Sequence, residues 1–405
     1  MTQATSALPV RAERLWAALL AATLMNLPLG SVYSFSVLLR PIEQDLGIGR
    51  SALSLVFGLA TVGFTIGSVG APFLYRLAPA PVLLGGCALV AAAGLALAAT
   101  ATTLLPLLVG YGLAFGTGGG LAFILLQQGV NMLVRTRQGL VNGYVVSLYP
   151  MGAMLATPAF HACNEAFGWR TTLVGLAAVL LIAGAAAATL SWLSGGRLVP
   201  PDAASGAARE AEPARPPIWS ATFFKLAGTF FFAAAAGLMV LSQAREIVAT
   251  YGGAPVLAVA ATTGLTGAIA LARIGGGWLT DRFPVPFVMC AAHALALGGG
   301  LLLTLFPAPV TAVAGLGLVG LGYGFVSGAT AGGIALYWHR SDYGRVAGRT
   351  YIAWCLAAIS LPVLAGHLFD LTRQYETAVL IAAAANVAGL VLALTLPRKG
   401  WRHTP

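Results

Sequence analysis

Arg273 is the one charged side chain of this sequence that falls deep inside an apolar segment, the run from Val256 to Gly277. A guanidinium cannot shed its proton, and it presents its donors in a planar fork that matches a carboxylate. At the centre of a bilayer an arginine costs about 2.5–3.5 kcal/mol on insertion scales, so it calls for a polar partner, water or an anionic ligand. The chemistry this predicts is capture of a small anion. Bond-making chemistry has little to build on. Cys87, Cys163, Cys290 and Cys355 stand singly, and the histidines, with His161 and His367 near segment ends, are scattered without metal-ligand spacing. No Ser-His-Asp set, carboxylate pair or phosphate loop is found. The sequence therefore predicts no enzyme, no catalytic residue, no metal site and no cofactor.

The elements that must position Arg273 follow from composition. Hydrophobic residues make up 58% of the 405 and charged residues only 8%, where soluble domains carry about 25% charged residues. Windows of about 20 apolar residues recur, each enough to cross a hydrocarbon core ~30 Å thick, and the alternation of barrel strands is missing. The expected fold is an all-α integral membrane protein of twelve spans, near residues 15–39, 51–76, 81–100, 104–134, 139–161, 171–193, 223–244, 255–279, 284–305, 309–337, 350–368 and 376–396. The first run is too long for a signal-peptide core and lacks a convincing cleavage site, so it counts as span one.

Basic residues set the orientation. With the N-terminus inside, sixteen of the 22 Lys and Arg residues fall in inner segments and only Arg40, Arg50, Arg170, Arg245 and Arg373 in outer loops. That bias places both termini in the cytoplasm of a multi-pass protein of the inner (plasma) membrane. It also accounts for the net charge of +10 without nucleic acid, which would need a basic cluster on a soluble domain. The expected partners are the lipid bilayer and a small organic anion, with the protein acting as a monomer.

The chain reads as doubled. Its long polar connection, 194–222, carries Pro200-Pro201 and Pro216-Pro217 and separates an N-terminal six-helix half, 15–193, from a C-terminal half, 223–396. Short cytoplasmic tails, 1–14 and 397–405, complete the expected organisation. A shift of about 205 residues aligns the Gly70 to Leu77 segment with Gly276 to Phe283, and Arg135, Gly139 and Gly143 with Arg340, Gly344 and Gly348. Parallel repeats of this kind belong to secondary transporters whose halves rock about a central site.

The segment Gly276-Gly277-Trp278-Leu279-Thr280-Asp281-Arg282 resembles the cytoplasmic signature of the major facilitator superfamily. That resemblance implies that Gly277, Asp281 and Arg282 form a gating turn whose backbone and charges latch neighbouring helices. A bare positive-inside turn would leave the same trace. The first half has Tyr75 where the acid would stand, which predicts a weaker latch there. Within the superfamily, the runs Gly30 to Gly47, Arg50 to Ser54 and Arg137 to Gly143, with Arg273, resemble the oxalate/formate antiporter branch, a relative of the monocarboxylate transporters. That branch implies Arg273 as the grip on a substrate carboxylate. The alternative is an arginine that snorkels along the ~9–12 Å of helix rise separating it from Asp281.

Departures from the branch narrow the expectation. Trp354 stands where the oxalate exchanger carries a lysine, so a single cationic anchor favours monocarboxylates. Ile269 replaces the acid that proton-coupled relatives carry one turn before the arginine, which favours exchange, uniport or coupling through the substrate's own proton. Helical spacing puts Gly116, Gly120, Phe123, Gln127 and Asn131 on one face of span four, and Asn26, Gly30, Tyr33 and Val37 on one face of span one. Asn142, Tyr149 and Gly152 of span five, with Tyr323 and Ser327 of span ten, complete the candidate lining, and Tyr149 corresponds to Trp354 under the repeat. Ordinary helix packing is the alternative for each. The expected function is an alternating-access carrier of small organic anions, as a secondary active or facilitative transporter, with Arg273, Tyr33, Asn26, Phe123, Gln127, Tyr149, Trp354 and Tyr323 binding substrate. The competing readings are an exporter of hydrophobic or drug-like compounds, which usually wants an intramembrane acid, and a non-transporting membrane sensor.

Overall fold

The computed structural model describes residues 7–198, 216–372 and 374–400. Most of the 194–222 connection, with Arg209 and Arg215, lies outside the described residues, as do Arg373, Arg402 and residues 1–6. Among the described residues the chain is helical throughout, with no strand. In order the helices are α1 Ala7–Leu29, α2 Ser36–Leu46, α3 Arg50–Leu74, α4 Ala80–Ala99, α5 Leu104–Leu107, α6 Gly116–Leu133, α7 Gln138–Leu193, α8 Ala221–Thr250, α9 Pro255–Thr280, α10 Val285–Leu305, α11 Pro309–Tyr337, α12 Tyr343–Ile359, α13 Leu361–Thr372 and α14 Glu376–Leu394.

Eleven helical stretches among the described residues are long and apolar enough to cross a membrane. One of them, α7, is 56 residues long and breaks at Gly168, whose φ of 80° lies in the left-handed region that favours glycine. Its two legs are spans five and six, which brings the crossings to twelve. The outer loop expected at 162–170 is therefore helical up to that break. Span one continues from α1 through a tight turn at Gly30–Ser34 into α2. Span four widens into a π-helical stretch at Leu108–Phe115 before α6. Span eleven starts at Tyr343 rather than 350, and α12 is separated from α13 at Ser360, just before Pro362, which has no amide hydrogen to give back to the preceding turn.

The described residues cluster into two compact units. One comprises Met1–Thr136, Gly152–Pro213 and His339–Tyr351; the other comprises Arg137–Met151, Ala214–Trp338 and Ile352–Pro405. Each unit thus takes most of one sequence half and a short segment of the other. Inside each, a pair of repeat-related helices meets backbone to backbone. In the first unit α3 packs on α6, and a Cβ at Gly120 would overlap the Phe64 carbonyl. In the second α9 packs on α11, and a Cβ at Gly328 would overlap the Arg273 carbonyl. Small residues allow this approach, which in lipid substitutes for the hydrophobic drive that water supplies elsewhere.

Candidate functional site

Arg273 is only 6% exposed. Its Nη1 donates to the backbone carbonyl of Val146 at 2.8 Å and its Nη2 to the Tyr323 hydroxyl at 2.9 Å. The guanidinium carbon lies 5.3 Å from the centre of the Tyr323 ring. Both terminal nitrogens thus have partners inside the protein, while no hydrogen-bond acceptor faces the buried Nε. Tyr323 reaches it because α11 lies against α9: a Cβ at Gly324 would come within 2.7 Å of the Ile269 carbonyl. The tyrosine ring rests on Gly237 of α8 so closely that any Cβ there would overlap it.

Trp354 joins the same group, its Nε1 donating to the Tyr323 hydroxyl at 3.2 Å. Both neighbours of that hydroxyl are donors, so its oxygen accepts twice and its own hydrogen goes to neither of them. A guanidinium and a phenolic O–H side by side form a donor cluster suited to a carboxylate. Val146, Arg273, Tyr323 and Trp354 all belong to the second unit, as does Tyr149, which is 5% exposed. The repeat counterpart of Arg273, about Gly67, packs in the first unit against α6, where a Cβ would overlap the Thr117 carbonyl. That position has no room for a matching cation.

Most of the other candidates lie in the first unit; Asn142 and Ser327 belong to the second. Phe123 meets Phe64 in a tilted contact at 5.5 Å, and both rings make edge contacts with Tyr351, at 5.2 Å and 5.4 Å. Asn26 is fully buried on α1, and neither amide atom meets a hydrogen-bond partner; the Gln127 Oε1 is in the same position. Tyr33 lies half-buried in the turn after α1. Gly116 and Gly120, expected on a lining face, instead pack on the Ala60 and Phe64 carbonyls of α3. Asn131 and Asn142 each bond to the carbonyl one turn back in their own helix.

The turn that ends α9 meets the start of α7. Asp281 accepts from the Gly139 amide at 2.7 Å on one carboxylate oxygen and from the Leu140 amide at 2.8 Å on the other. A carboxylate there satisfies two of the orphan amides of a helix N-terminus and complements its dipole. Gly277 backs directly onto Gly139, with no space for a Cβ at either. Arg282 stacks on Trp278 at 3.8 Å.

In the first unit the corresponding helix start, Gly344, is served differently. Its amide donates to Gln128 Oε1 at 2.8 Å, while the Gln128 Nε2 donates to the carbonyls of Leu198 at 3.0 Å and Arg340 at 3.3 Å. Tyr75, at the motif position, fills the space over Gly344 with its hydroxyl. Sequence reasoning missed Gln128 because it looked for the acceptor at the motif position. The signal was a second amide beside Gln127, on a different face of the same helix.

Comparisons with known proteins come to the same architecture. The family model "Major Facilitator Superfamily" matches residues 19–362. Rat "Monocarboxylate transporter 13" is 26% identical over 362 residues, covering 84% of this chain and 79% of its own length. Mouse "Monocarboxylate transporter 11" is 28% identical over 348 residues, covering 82% of this chain and 75% of its own. Among solved structures, the proton:xylose symporter XylE superposes with a TM-score of 0.71 at 14% identity, over 98% of this chain and 97% of that one. FucP, described in an outward conformation, gives 0.66 at 18% identity over 94% and 98%. The doubled helical bundle, its backbone-to-backbone helix pairs and a family match that spans most of its length make this chain a member of the major facilitator superfamily.

Proposed function

We propose that this transporter carries small organic anions, monocarboxylates first among them, by alternating access, with Arg273 as the anchor of the substrate carboxylate. The observation that carries the reading is a guanidinium 6% exposed, two turns before the end of α9, held by a carbonyl and a tyrosine hydroxyl. A carboxylate offers that group a charge-assisted pair, roughly twice as strong as a neutral hydrogen bond. Relatives named as monocarboxylate transporters support the substrate class. Tyr323 serves as second donor, and Trp354 and Tyr149 supply aromatic surface. With tryptophan at 354 there is one cation rather than two, which suits one carboxylate. Ile269 leaves the turn before Arg273 without an acid, so coupling is by exchange, uniport or the substrate's own proton.

Asp281 and Arg282 act as the gating turn, the carboxylate tethering the α7 start and the guanidinium braced on Trp278. The distribution of Lys and Arg supports a plasma-membrane orientation with both termini cytoplasmic. A thermal-shift screen of purified protein with propionate, pyruvate, oxalate and succinate tests the substrate class, because a ligand that binds the folded state raises its stability. Shifts with the two monocarboxylates are expected. Shifts confined to the dicarboxylates would overturn the reading of Trp354.

A further inference from the structure

The carbonyl that holds Arg273 is available for a reason written four residues further along the chain. In an α-helix each carbonyl accepts from the amide of the residue four positions on. For Val146 that residue is Pro150, which has no amide hydrogen. Residues 138 to 167 nonetheless run as continuous helix through this point, and Val146 and Pro150 are both buried. A buried carbonyl without a donor is costly where no water reaches it, and helix-interior prolines in membranes are tolerated when a neighbour supplies the missing donor. Here the donor is Arg273 Nη1, at 2.8 Å. The approach is secured one turn earlier, where a Cβ at Gly143 would lie 2.6 Å from the Arg273 carbonyl.

We infer that Pro150 is a positioning residue for Arg273: by withholding the amide that would close the helix bond onto Val146, it commits that carbonyl to orienting the guanidinium. The choice of a carbonyl matters. An acidic partner would fix the arginine and cancel its charge together, whereas a carbonyl fixes its direction and leaves the cation for an anionic substrate. Tyr323 holds the second nitrogen, so the fork is braced from α7 and α11. A carboxylate then meets donors already aimed, with less side-chain freedom to lose on binding. Its bearing on transport rests on Arg273 being the carboxylate anchor; the hydrogen-bond exchange itself does not.

The test is a double-mutant cycle read as thermal stability of the full-length protein in detergent without ligand. Pro150→Ala supplies the missing amide. In the wild-type background it competes with a guanidinium already on the carbonyl, but in Arg273→Gln it satisfies an acceptor that has lost its donor. Pro150→Ala should therefore raise Tm more in Arg273→Gln than in wild type. Equal shifts in the two backgrounds, the additivity of independent sites, would overturn the inference. Pro150→Gly also supplies an amide and repeats the cycle should the alanine variant fail to fold. In proteoliposomes, Pro150→Ala should raise the half-saturating pyruvate concentration about threefold to tenfold, the worth of one net hydrogen bond, with the maximal rate retained. An unchanged half-saturation would count equally against the role. Pyruvate uptake that survives Arg273→Gln would instead overturn the anchor reading, while the stability cycle still reports on Pro150.

Discussion

At the scale of single residues, the site is a chain of donors with one shared acceptor. Arg273 and Trp354 both donate to the Tyr323 hydroxyl, so that oxygen fixes the direction of a cation and of an indole at once. Tyr323→Phe removes the shared acceptor and leaves the ring on Gly237. It should raise the half-saturating monocarboxylate concentration about threefold to tenfold, measured as initial uptake rates in proteoliposomes, with expression unchanged. An unchanged value would show that the hydroxyl takes no part in binding. The sequence made Arg273 legible because a charge in an apolar run is expensive wherever it lies. It made Tyr323 a candidate only as an aromatic on a glycine-rich helix. The Val146 carbonyl is marked only indirectly, by Pro150 four residues on, and which donor reaches it depends on how α9 packs against α7.

At the scale of elements, close helix crossings and the two helix starts decide what can be built. Gly328→Ala would drive a Cβ into the Arg273 carbonyl and should destabilise the α9–α11 crossing by about 1–3 kcal/mol, as overpacked cores do. Chemical denaturation in detergent measures it. At the α7 start, Asp281→Ala should cost about 1 kcal/mol, the ordinary worth of a cap, and Asp281→Asn less. Asp45 ties the end of α2 to the second leg of α7: its carboxylate is ion-paired with Arg170 and accepts from the Trp169 indole at 3.1 Å. The hydrogen bond from Arg170, then that from Trp169, holds its pKa below the ordinary 3.8. A carboxyl depressed in the folded state contributes stability above its unfolded pKa and loses it as pH falls through the lower folded value. Asp45→Asn should thus lower Tm at neutral pH and flatten part of the acid-side fall, the two proteins converging as pH drops through the lowered Asp45 pKa. Apolar runs showed the number of spans well, but not where a helix persists beyond them. The α7 leg runs through 162–167 because nothing before Gly168 breaks it, and the early start of α12 at Tyr343 lies in a charged stretch with no hydropathy signal.

At the scale of the whole molecule, the repeat visible in the sequence returns as repeat-related helix pairs, α3 with α6 and α9 with α11. The compact units nevertheless do not coincide with the sequence halves, because Arg137–Met151 and His339–Tyr351 each cluster with the other half's helices. Expressed alone, either half should therefore be unstable and rapidly degraded, while co-expression of 1–205 with 206–405 should restore both; stable accumulation of one half alone would contradict this. Sequence patterning could show the duplication but not this exchange of segments, which depends on glycine contacts such as Gly143 on Arg273 and Gly348 on Ser68. Transport by the assembled protein depends on what it moves and on whether Arg273 grips it. Its most direct test is counterflow of labelled pyruvate into proteoliposomes containing wild type or Arg273→Gln, with both proteins shown to be folded by their thermal transitions. Saturable exchange in wild type and its loss in Arg273→Gln is the predicted result; equal exchange by the two proteins would contradict the account.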